Sequence, residues 1–238
     1  MTLLLATTAL ALLLVSGVAL AVTVNGTKGP DLLSGTDKPD RIEGWGGYDK
    51  INGKGGGDEL RGGVGEDYVC GANGSDTYIG GFGEDRLTEY DIPECALNRP
   101  NRPPEGPGHS GADTQSGGGG EDWLEGARGA DTQFGGPHDD FLFGDRGGDE
   151  LHGGTGPDWM YGEQGSDRMF GEKDDDELEA ARHETVDTPD VVNGGRGFDT
   201  CVVNENDHVR NCEQTETVPN PTLRTTASAQ DSSTGNSR

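Results

Sequence analysis

Aspartate residues recur at every ninth position along two long stretches of the chain. Residues 62–88 read GGVGEDYVC, GANGSDTYI and GGFGEDRLT, so each nine has glycine first, aspartate sixth and an apolar residue eighth. Carboxylates are hard oxygen ligands, and Ca²⁺ is bound by six to eight oxygens. The spacing therefore predicts a series of cation sites built from loop aspartates.

The nine-residue phase holds through seven units that start at Gly26 and eight units that start at Gly108. A further partial unit, GGRGFDTCV, occupies residues 194–202. The sixth-position aspartates are the predicted metal ligands: Asp31, Asp40, Asp49, Asp58, Asp67, Asp76, Asp85, Asp113, Asp122, Asp131, Asp140, Asp149, Asp158, Asp167, Asp176 and Asp199.

The consensus G-G-x-G-x-D-x-U-x resembles the RTX, or hemolysin-type, calcium-binding repeats. Including the ending GGRGFDTCVVNENDHVRNCE, the chain is similar to small secreted actinobacterial members of that family. The resemblance implies an all-β fold, a right-handed parallel β-roll with two nonapeptides per turn. It also implies multiple Ca²⁺ ions between stacked loops.

Each position of the nine then has a structural role. Glycines at the first and fourth positions are expected to give the loop a left-handed backbone. Residues seven to nine are expected to form a short strand, whose eighth side chain points inward because strand side chains alternate. With two units per turn, residues 18 apart stack, so Leu33, Ile51, Val69 and Leu87 form one inner wall and Ile42, Leu60 and Tyr78 the other.

The charge of the chain points to cations as its partners. The 238 residues hold 44 Asp and Glu against 18 Lys and Arg, a net charge of −26, and only 29% are hydrophobic. A chain this acidic is not expected to bind nucleic acid or anionic membranes, which attract basic surfaces. Pairing loops within each block allows roughly 11 calcium ions at most, or about +22 in charge. Folding is therefore expected to depend on calcium.

The N-terminus predicts export to the cell surface or the extracellular space. Residues 3–21 are almost wholly apolar, carry no charge and end in Ala19-Leu20-Ala21, the small-x-small pattern of a signal-peptidase site. Residues 1–21 are thus interpreted as a signal peptide. An uncleaved membrane anchor is the alternative, and only then would the membrane be a partner.

Four cysteines suit an oxidising compartment. Sequence proximity favours the pairs Cys70–Cys95 and Cys201–Cys212, whereas the spacings do not fit a zinc site. The predicted organisation is a first repeat block at 22–88, a Pro-rich insert at 89–107 and a second block at 108–179. Degenerate repeats with a disulfide cap follow at 180–213, and a disordered tail at 214–238. Whether the two blocks form one roll is left open.

Five aromatic residues of the second block are predicted to lie on one outer face: Trp123, Phe141 and Trp159 at seventh positions, and Phe143 and Tyr161 at ninth positions. Such a face could bind polysaccharide or a surface protein, or be covered by the protein's own chain. No H-E-x-x-H or G-x-S-x-G motif occurs, so an enzyme is not expected. The sequence predicts a secreted calcium-binding β-roll with a structural or binding role; the alternative is a calcium-dependent carbohydrate-binding or adhesive module.

Overall fold

The computed structural model describes residues 20–88, 111–180 and 188–218. The predicted signal segment up to residue 19 lies outside these ranges. So do the insert with Cys95 and the chain beyond residue 218.

All regular structure in the described residues is β-strand, and no helix there is long and apolar enough to cross a membrane. The strands, in chain order, are β1 (Thr23–Asn25), β2 (Leu32–Ser34), β3 (Arg41–Gly46), β4 (Lys50–Gly55), β5 (Glu59–Val64), β6 (Tyr68–Asn73), β7 (Thr77–Phe82), β8 (Arg86–Thr88), β9 (Thr114–Gly119), β10 (Trp123–Glu125), β11 (Arg128–Gly129), β12 (Thr132–Pro137), β13 (Phe141–Phe143), β14 (Arg146–Gly147), β15 (Glu150–Thr155), β16 (Trp159–Tyr161), β17 (Gln164–Gly165), β18 (Arg168–Lys173), β19 (Glu177–Glu179), β20 (Val191–Arg196), β21 (Thr200–Asn204), β22 (His208–Arg210) and β23 (Gln214–Val218).

The strands form two parallel sheets that the chain visits in turn. Sheet A runs β1-β3-β5-β7-β9-β12-β15-β18-β20-β22, and sheet B runs β2-β4-β6-β8-β10-β13-β16-β19-β21-β23. Ile42 pairs with Leu60 in sheet A and Leu33 with Ile51 in sheet B, so one turn contains two nonapeptides. The predicted β-roll is confirmed. Short strands β11, β14 and β17 add a third parallel sheet along one edge.

The two repeat blocks form one continuous roll. Strand β7 pairs with β9 and β8 with β10, so Tyr78 lies beside Gln115 and Leu87 beside Leu124 across the insert. A second interruption, between β19 and β20, is also bridged, since β18 pairs with β20. The strand pairing therefore keeps the same register on both sides of each interruption, which answers the question that the sequence leaves open.

The core is a thin double wall of eighth-position side chains. The walls predicted from the first block are confirmed, and every one of their seven side chains is buried. The second block continues them with Leu124, Leu142, Leu151, Met160, Met169 and Leu178, all at 0% exposure. Because each turn adds only two such side chains, apolar burial per residue is small, and the loops must contribute to stability.

Two expectations are corrected. Many strands are six residues long, as in β3, because pairing continues through the first three positions of the following nonapeptide. The disordered tail was predicted to begin at Gln214, but Gln214–Val218 forms β23, paired with β21. The β-branched residues Thr215, Thr217 and Val218 favour this last strand.

Candidate metal centre

The loop aspartates form two rows along opposite edges of the roll, each residue stacked on the equivalent one in the next turn. Row A precedes the strands of sheet A and contains Asp40, Asp58, Asp76, Asp113, Asp131, Asp149, Asp167, Asp190 and Asp207. Row B precedes the strands of sheet B and contains Asp31, Asp49, Asp67, Asp85, Asp122, Asp140, Asp158, Asp176 and Asp199. The structure therefore brings every predicted ligand into one of two rows.

One oxygen of each carboxylate is fixed by the backbone of the preceding turn. The N–H of Asp40 donates to Oδ1 of Asp58 at 2.8 Å, and the N–H of Asp49 donates to Oδ1 of Asp67 at 2.9 Å. The same bond recurs along both rows, 18 residues apart within each block. These bonds orient every carboxylate identically, so that the second oxygen of each faces the interior of its loop.

That second oxygen, Oδ2, is buried without a hydrogen-bond partner in most loops. It is so in Asp49, Asp58, Asp67, Asp76, Asp85, Asp113, Asp122, Asp131, Asp140, Asp149, Asp158, Asp167, Asp176 and Asp199. Leaving a buried acceptor unsatisfied is costly, and such atoms are uncommon in folded proteins. A repeated set of them indicates that the site is shaped for a group that accepts electron pairs.

Backbone oxygens lie beside these carboxylates. A methyl group added at Gly144 would come within 2.7 Å of Asp149 Oδ2 and 2.9 Å of the Gly162 carbonyl oxygen. Carboxylate and carbonyl oxygens thus converge at the first glycine of a loop. Such hard oxygens are the donors that Ca²⁺ prefers, so the residues present fit this ion.

Burial raises the pKa of many aspartates in the middle of both rows above the ordinary value near 4. The pKa of Asp149 rises to about 9, chiefly through burial and then through the charges of Asp167 and Asp131. For the same first cause the pKa rises to about 8 in Asp140 and Asp176, and to about 7 in Asp58. Stacked carboxylates without a counter-charge are therefore unfavourable when ionised, and a cation between them would relieve that cost.

Side chains alone do not complete a site. Within the described residues, no three His, Cys, Asp or Glu side chains are grouped as a metal-binding cluster. Carboxylates meet one turn apart, and the remaining oxygens must come from the backbone. The ligand set therefore exists only when two turns are stacked, which couples cation binding to folding.

The role expected for the first glycine is wrong. Left-handed φ values occur at the second and fourth positions, for example 78° at Trp45 and 120° at Gly47 in loop 44–49. First-position glycines do not have them in the described loops. Glycine is required at the first position because the Asp Oδ2 atom and a backbone carbonyl approach it too closely for a Cβ.

Sequence reasoning missed the C-terminal end of both rows. The N–H of Asp167 donates to Asp190 Oδ1 at 2.7 Å, and the N–H of Asp190 to Asp207 Oδ1 at 3.0 Å. In row B, Glu213 Oε2 accepts from the Asp199 N–H at 2.9 Å. Asp190-Val191-Val192 and Asp207-His208-Val209 carry the D-x-U signal, but neither aspartate lies nine residues after the predicted ligand before it, Asp176 or Asp199.

The C-terminal turn is cross-linked. Cys201 and Cys212 form a disulfide with a Cα–Cα distance of 6.0 Å, as predicted. Cys201 is buried in the inner wall, so the bond ties the segment after β21 to the core. Cys70 is also disulfide-bonded, and its predicted partner Cys95 lies outside the described residues.

The five aromatic residues stack on one another instead of presenting open ring faces. Phe141 and Trp159 are stacked with centroids 4.8 Å apart and 9° between their planes, and Phe143 and Tyr161 at 5.0 Å and 4°. Trp123 lies 5.6 Å from Phe141, and its other side faces the Arg86 guanidinium at 4.9 Å. The stack on one outer face is thus as the 18-residue spacing predicts, and all five rings are half-buried.

Three polar side chains occupy inward positions of sheet A where the blocks join. Gln133 Nε2 donates to Gln115 Oε1 at 2.8 Å, and Gln115 Nε2 donates to the Glu125 carbonyl at 2.8 Å. Tyr78 beside them is fully buried, and its hydroxyl lies with Asp76 Oδ2 at Gly71. The two glutamines thus form a short ladder of amide hydrogen bonds, and the Tyr78 hydroxyl brings a further polar atom to row A.

Comparison with known proteins agrees with this geometry. A model of the RTX calcium-binding nonapeptide repeat matches in four copies, at residues 25–60, 52–87, 116–151 and 143–178. Together these cover more than half of the chain. No curated protein matches it.

Proposed function

Because the chain belongs to the RTX calcium-binding nonapeptide repeat family, we propose that it is an exported protein that folds around multiple Ca²⁺ ions and has a structural or binding role outside the cell. It is a calcium-binding β-roll; export, the number of ions and the role outside the cell are the proposed parts. The buried, partnerless Oδ2 atoms along both rows carry the proposal. These atoms belong to the sixth-position aspartates of the nonapeptide repeats, which are the residues predicted to bind the metal.

The aspartates from Asp49 to Asp199 would hold the ions, together with backbone carbonyls of the adjacent turn. Calcium supplies positive charge to carboxylates that burial makes costly to ionise. Each Oδ1 remains bonded to the preceding turn, so carboxylates arrive in the loop already oriented. Where calcium is scarce, the net charge of −26 and the thin core favour an extended chain.

Amide hydrogen exchange of the full chain tests this proposal. With calcium, amides of β3 to β20 should exchange slowly, because turns stacked on both sides protect them. With a chelator, that protection should disappear along the whole roll. Equal protection in both conditions would show that the aspartate rows do not depend on calcium. Recovery of the protein from the medium of expressing cells tests export separately.

A carbohydrate-binding or adhesive role is the second candidate, supported by the five aromatic residues on the outside of sheet B. The geometry favours a structural role for them, since the faces of the inner rings are already covered by their neighbours. Replacing Trp123 and Trp159 by alanine and measuring retention on polysaccharide with calcium distinguishes the two. Loss of retention in this double variant would favour the adhesive role. We propose no enzymatic activity.

A further inference from the structure

Two loops at the N-terminal end of the roll differ from the nonapeptide loops between Asp49 and Asp199 in what their aspartates contact. Oδ2 of Asp31 accepts hydrogen bonds from the Thr27 N–H at 2.5 Å and the Thr27 hydroxyl at 2.9 Å. Oδ2 of Asp40 accepts the same two bonds from Thr36, at 2.5 Å and 3.0 Å. The oxygen that is buried without a partner in later loops is satisfied here by the loop itself.

The two threonines also have a different backbone. In the nonapeptide loops from 44–49 to 194–199 whose second residue is described, that residue has positive φ, as in Trp45 at 78° and Ala72 at 73°. Thr27 and Thr36 occupy the same position without positive φ. A β-branched residue strongly disfavours that region, so threonine selects the alternative loop, in which its N–H faces the carboxylate.

We infer that the first turn of the roll, loops 26–31 and 35–40, closes without calcium and serves as the N-terminal cap of the cation rows. The N–H and O–H hydrogens carry partial positive charge and lie against the oxygen that would otherwise bind the ion. A cation at Oδ2 would have to displace both donors of a loop. Asp31 and Asp40 fit the nine-residue phase of the metal ligands, but threonine takes the place of the ion.

Contacts around these loops agree with a cap. Oδ1 of Asp40 accepts from the Val22 N–H at 2.6 Å, so three donors satisfy this one carboxylate. The N–H groups of Asp31 and Asp40 donate to Asp49 and Asp58 in the next turn, which starts both rows in register. Repeat arrays need atypical terminal units that end the stack, and a turn that needs no ion fulfils this requirement.

This inference rests on the proposed function, because it assumes that later loops bind calcium. Thr27→Gly is the direct test, because it converts GTKGPD into GGKGPD. It removes the hydroxyl donor, and it removes the β-branched side chain that keeps the N–H of residue 27 facing the Asp31 carboxylate. The calcium-saturated variant should bind one more ion per chain than the wild type, measured by equilibrium dialysis with native mass spectrometry. Thr155→Gly, at the third position of loop 153–158, is the matched control and should leave the number unchanged.

A measurement on the wild-type protein does not depend on how the variant folds. In the calcium-saturated protein, NMR should detect a through-hydrogen-bond coupling between the Thr27 amide nitrogen and the Asp31 carboxylate carbon, and likewise for Thr36 and Asp40. Absence of both couplings, or an unchanged ion count in Thr27→Gly, would overturn the inference. A wild-type chain that binds no calcium would instead overturn the proposed function.

Discussion

The backbone N–H of Asp85 donates a 2.7 Å hydrogen bond to Oδ1 of Asp122, although 37 residues separate them. Within each repeat block the same bond of row B spans 18 residues, as between Asp67 and Asp85. The contact that repeats from turn to turn is therefore preserved across the insert. One unbroken row of carboxylates results, and the cation sites need not stop where the sequence repeat stops.

This continuity predicts that the insert can be shortened without loss of the roll. Removing 19 residues from within 89–110, together with Cys70→Ala, restores the 18-residue spacing between Asp85 and Asp122. We expect the shortened chain to fold with the same calcium midpoint, within about twofold, measured by circular dichroism. Removing one residue more shifts the register, which moves inward side chains outward. That version should lose cooperativity, and equal behaviour of the two would contradict the continuous register.

A charge-removing substitution in the middle of row A should have opposite effects with and without calcium. Asp149 is buried and its pKa is raised to about 9. Asp149→Asn removes a carboxyl group that must either be buried as a charge or take up a proton on folding, so the ion-free fold should become more stable in urea. It also removes an anionic ligand, so calcium affinity should fall by about tenfold or more.

Glu121→Gln is the control for Asp149→Asn, because Glu121 is exposed at the fifth position of its loop. It changes the net charge equally and should alter neither quantity by more than about 0.5 kcal/mol. Calcium binding that weakens to the same extent in both variants would mean that only net charge matters. The carboxylate at position 149 would then not be a ligand.

The raised pKa values predict the pH dependence of the ion-free protein. Folded Asp58, Asp140 and Asp149 have pKa values of about 7, 8 and 9, against about 4 in the unfolded chain. The folded state therefore holds protons more tightly. The stability that this contributes is fully present below about pH 4 and is lost as pH rises through about 7 to 9.

Circular dichroism of chelated protein should thus show more β-structure at about pH 5 than at about pH 8. Calcium binding requires the ionised carboxylates, so its affinity should rise over the same interval. Opposite slopes for ion-free stability and calcium affinity are the expected signature. An ion-free fold that is equally stable at both pH values would show that the buried carboxylates do not control it.

Glycine at the first loop position should be irreplaceable, in contrast with glycine at the third. In loop 53–58 a Cβ at Gly53 would overlap Asp58 Oδ2 and lie 3.0 Å from the Gly71 carbonyl, whereas one at Gly55 would meet nothing closer than 3.7 Å. Gly53→Ala should therefore lower the unfolding free energy by about 2 kcal/mol or more. Gly55→Ala should change it by less than about 1 kcal/mol. Chemical denaturation in saturating calcium compares them, and similar losses would argue against a crowded cradle at Gly53.

Much of this architecture could be predicted, because the repeat encodes both phase and chemistry. An aspartate at each sixth position and an apolar residue two positions later fix which residues stack, once two units make a turn. The inner walls and the cation rows follow from that. Asp190 and Asp207 escaped prediction because insertions and deletions change their spacing while the backbone pairing remains.

Other features depend on geometry that composition does not reveal. Trp123, Phe141 and Trp159 stack on the outer face as their 18-residue spacing predicts, but the spacing does not reveal that their ring faces cover one another and leave them half-buried. Thr27 and Thr36 lie in repeats that fit the consensus phase, and only the direction of their N–H groups shows that they satisfy the aspartates themselves. The first-position glycines were expected to adopt a left-handed backbone. They are needed instead because an aspartate Oδ2 atom and a backbone carbonyl oxygen lie too close for a Cβ.

The most direct test of calcium-dependent folding is a circular dichroism titration that starts from the chelated protein at neutral pH, with calcium in one series and magnesium in the other. The aspartate rows predict a cooperative gain of β-signal with calcium alone, since Mg²⁺ demands stricter octahedral geometry and gives up its water reluctantly. A chelated protein that is already folded, or a β-signal that does not change with calcium, would contradict the claim that the buried carboxylates fold around this ion.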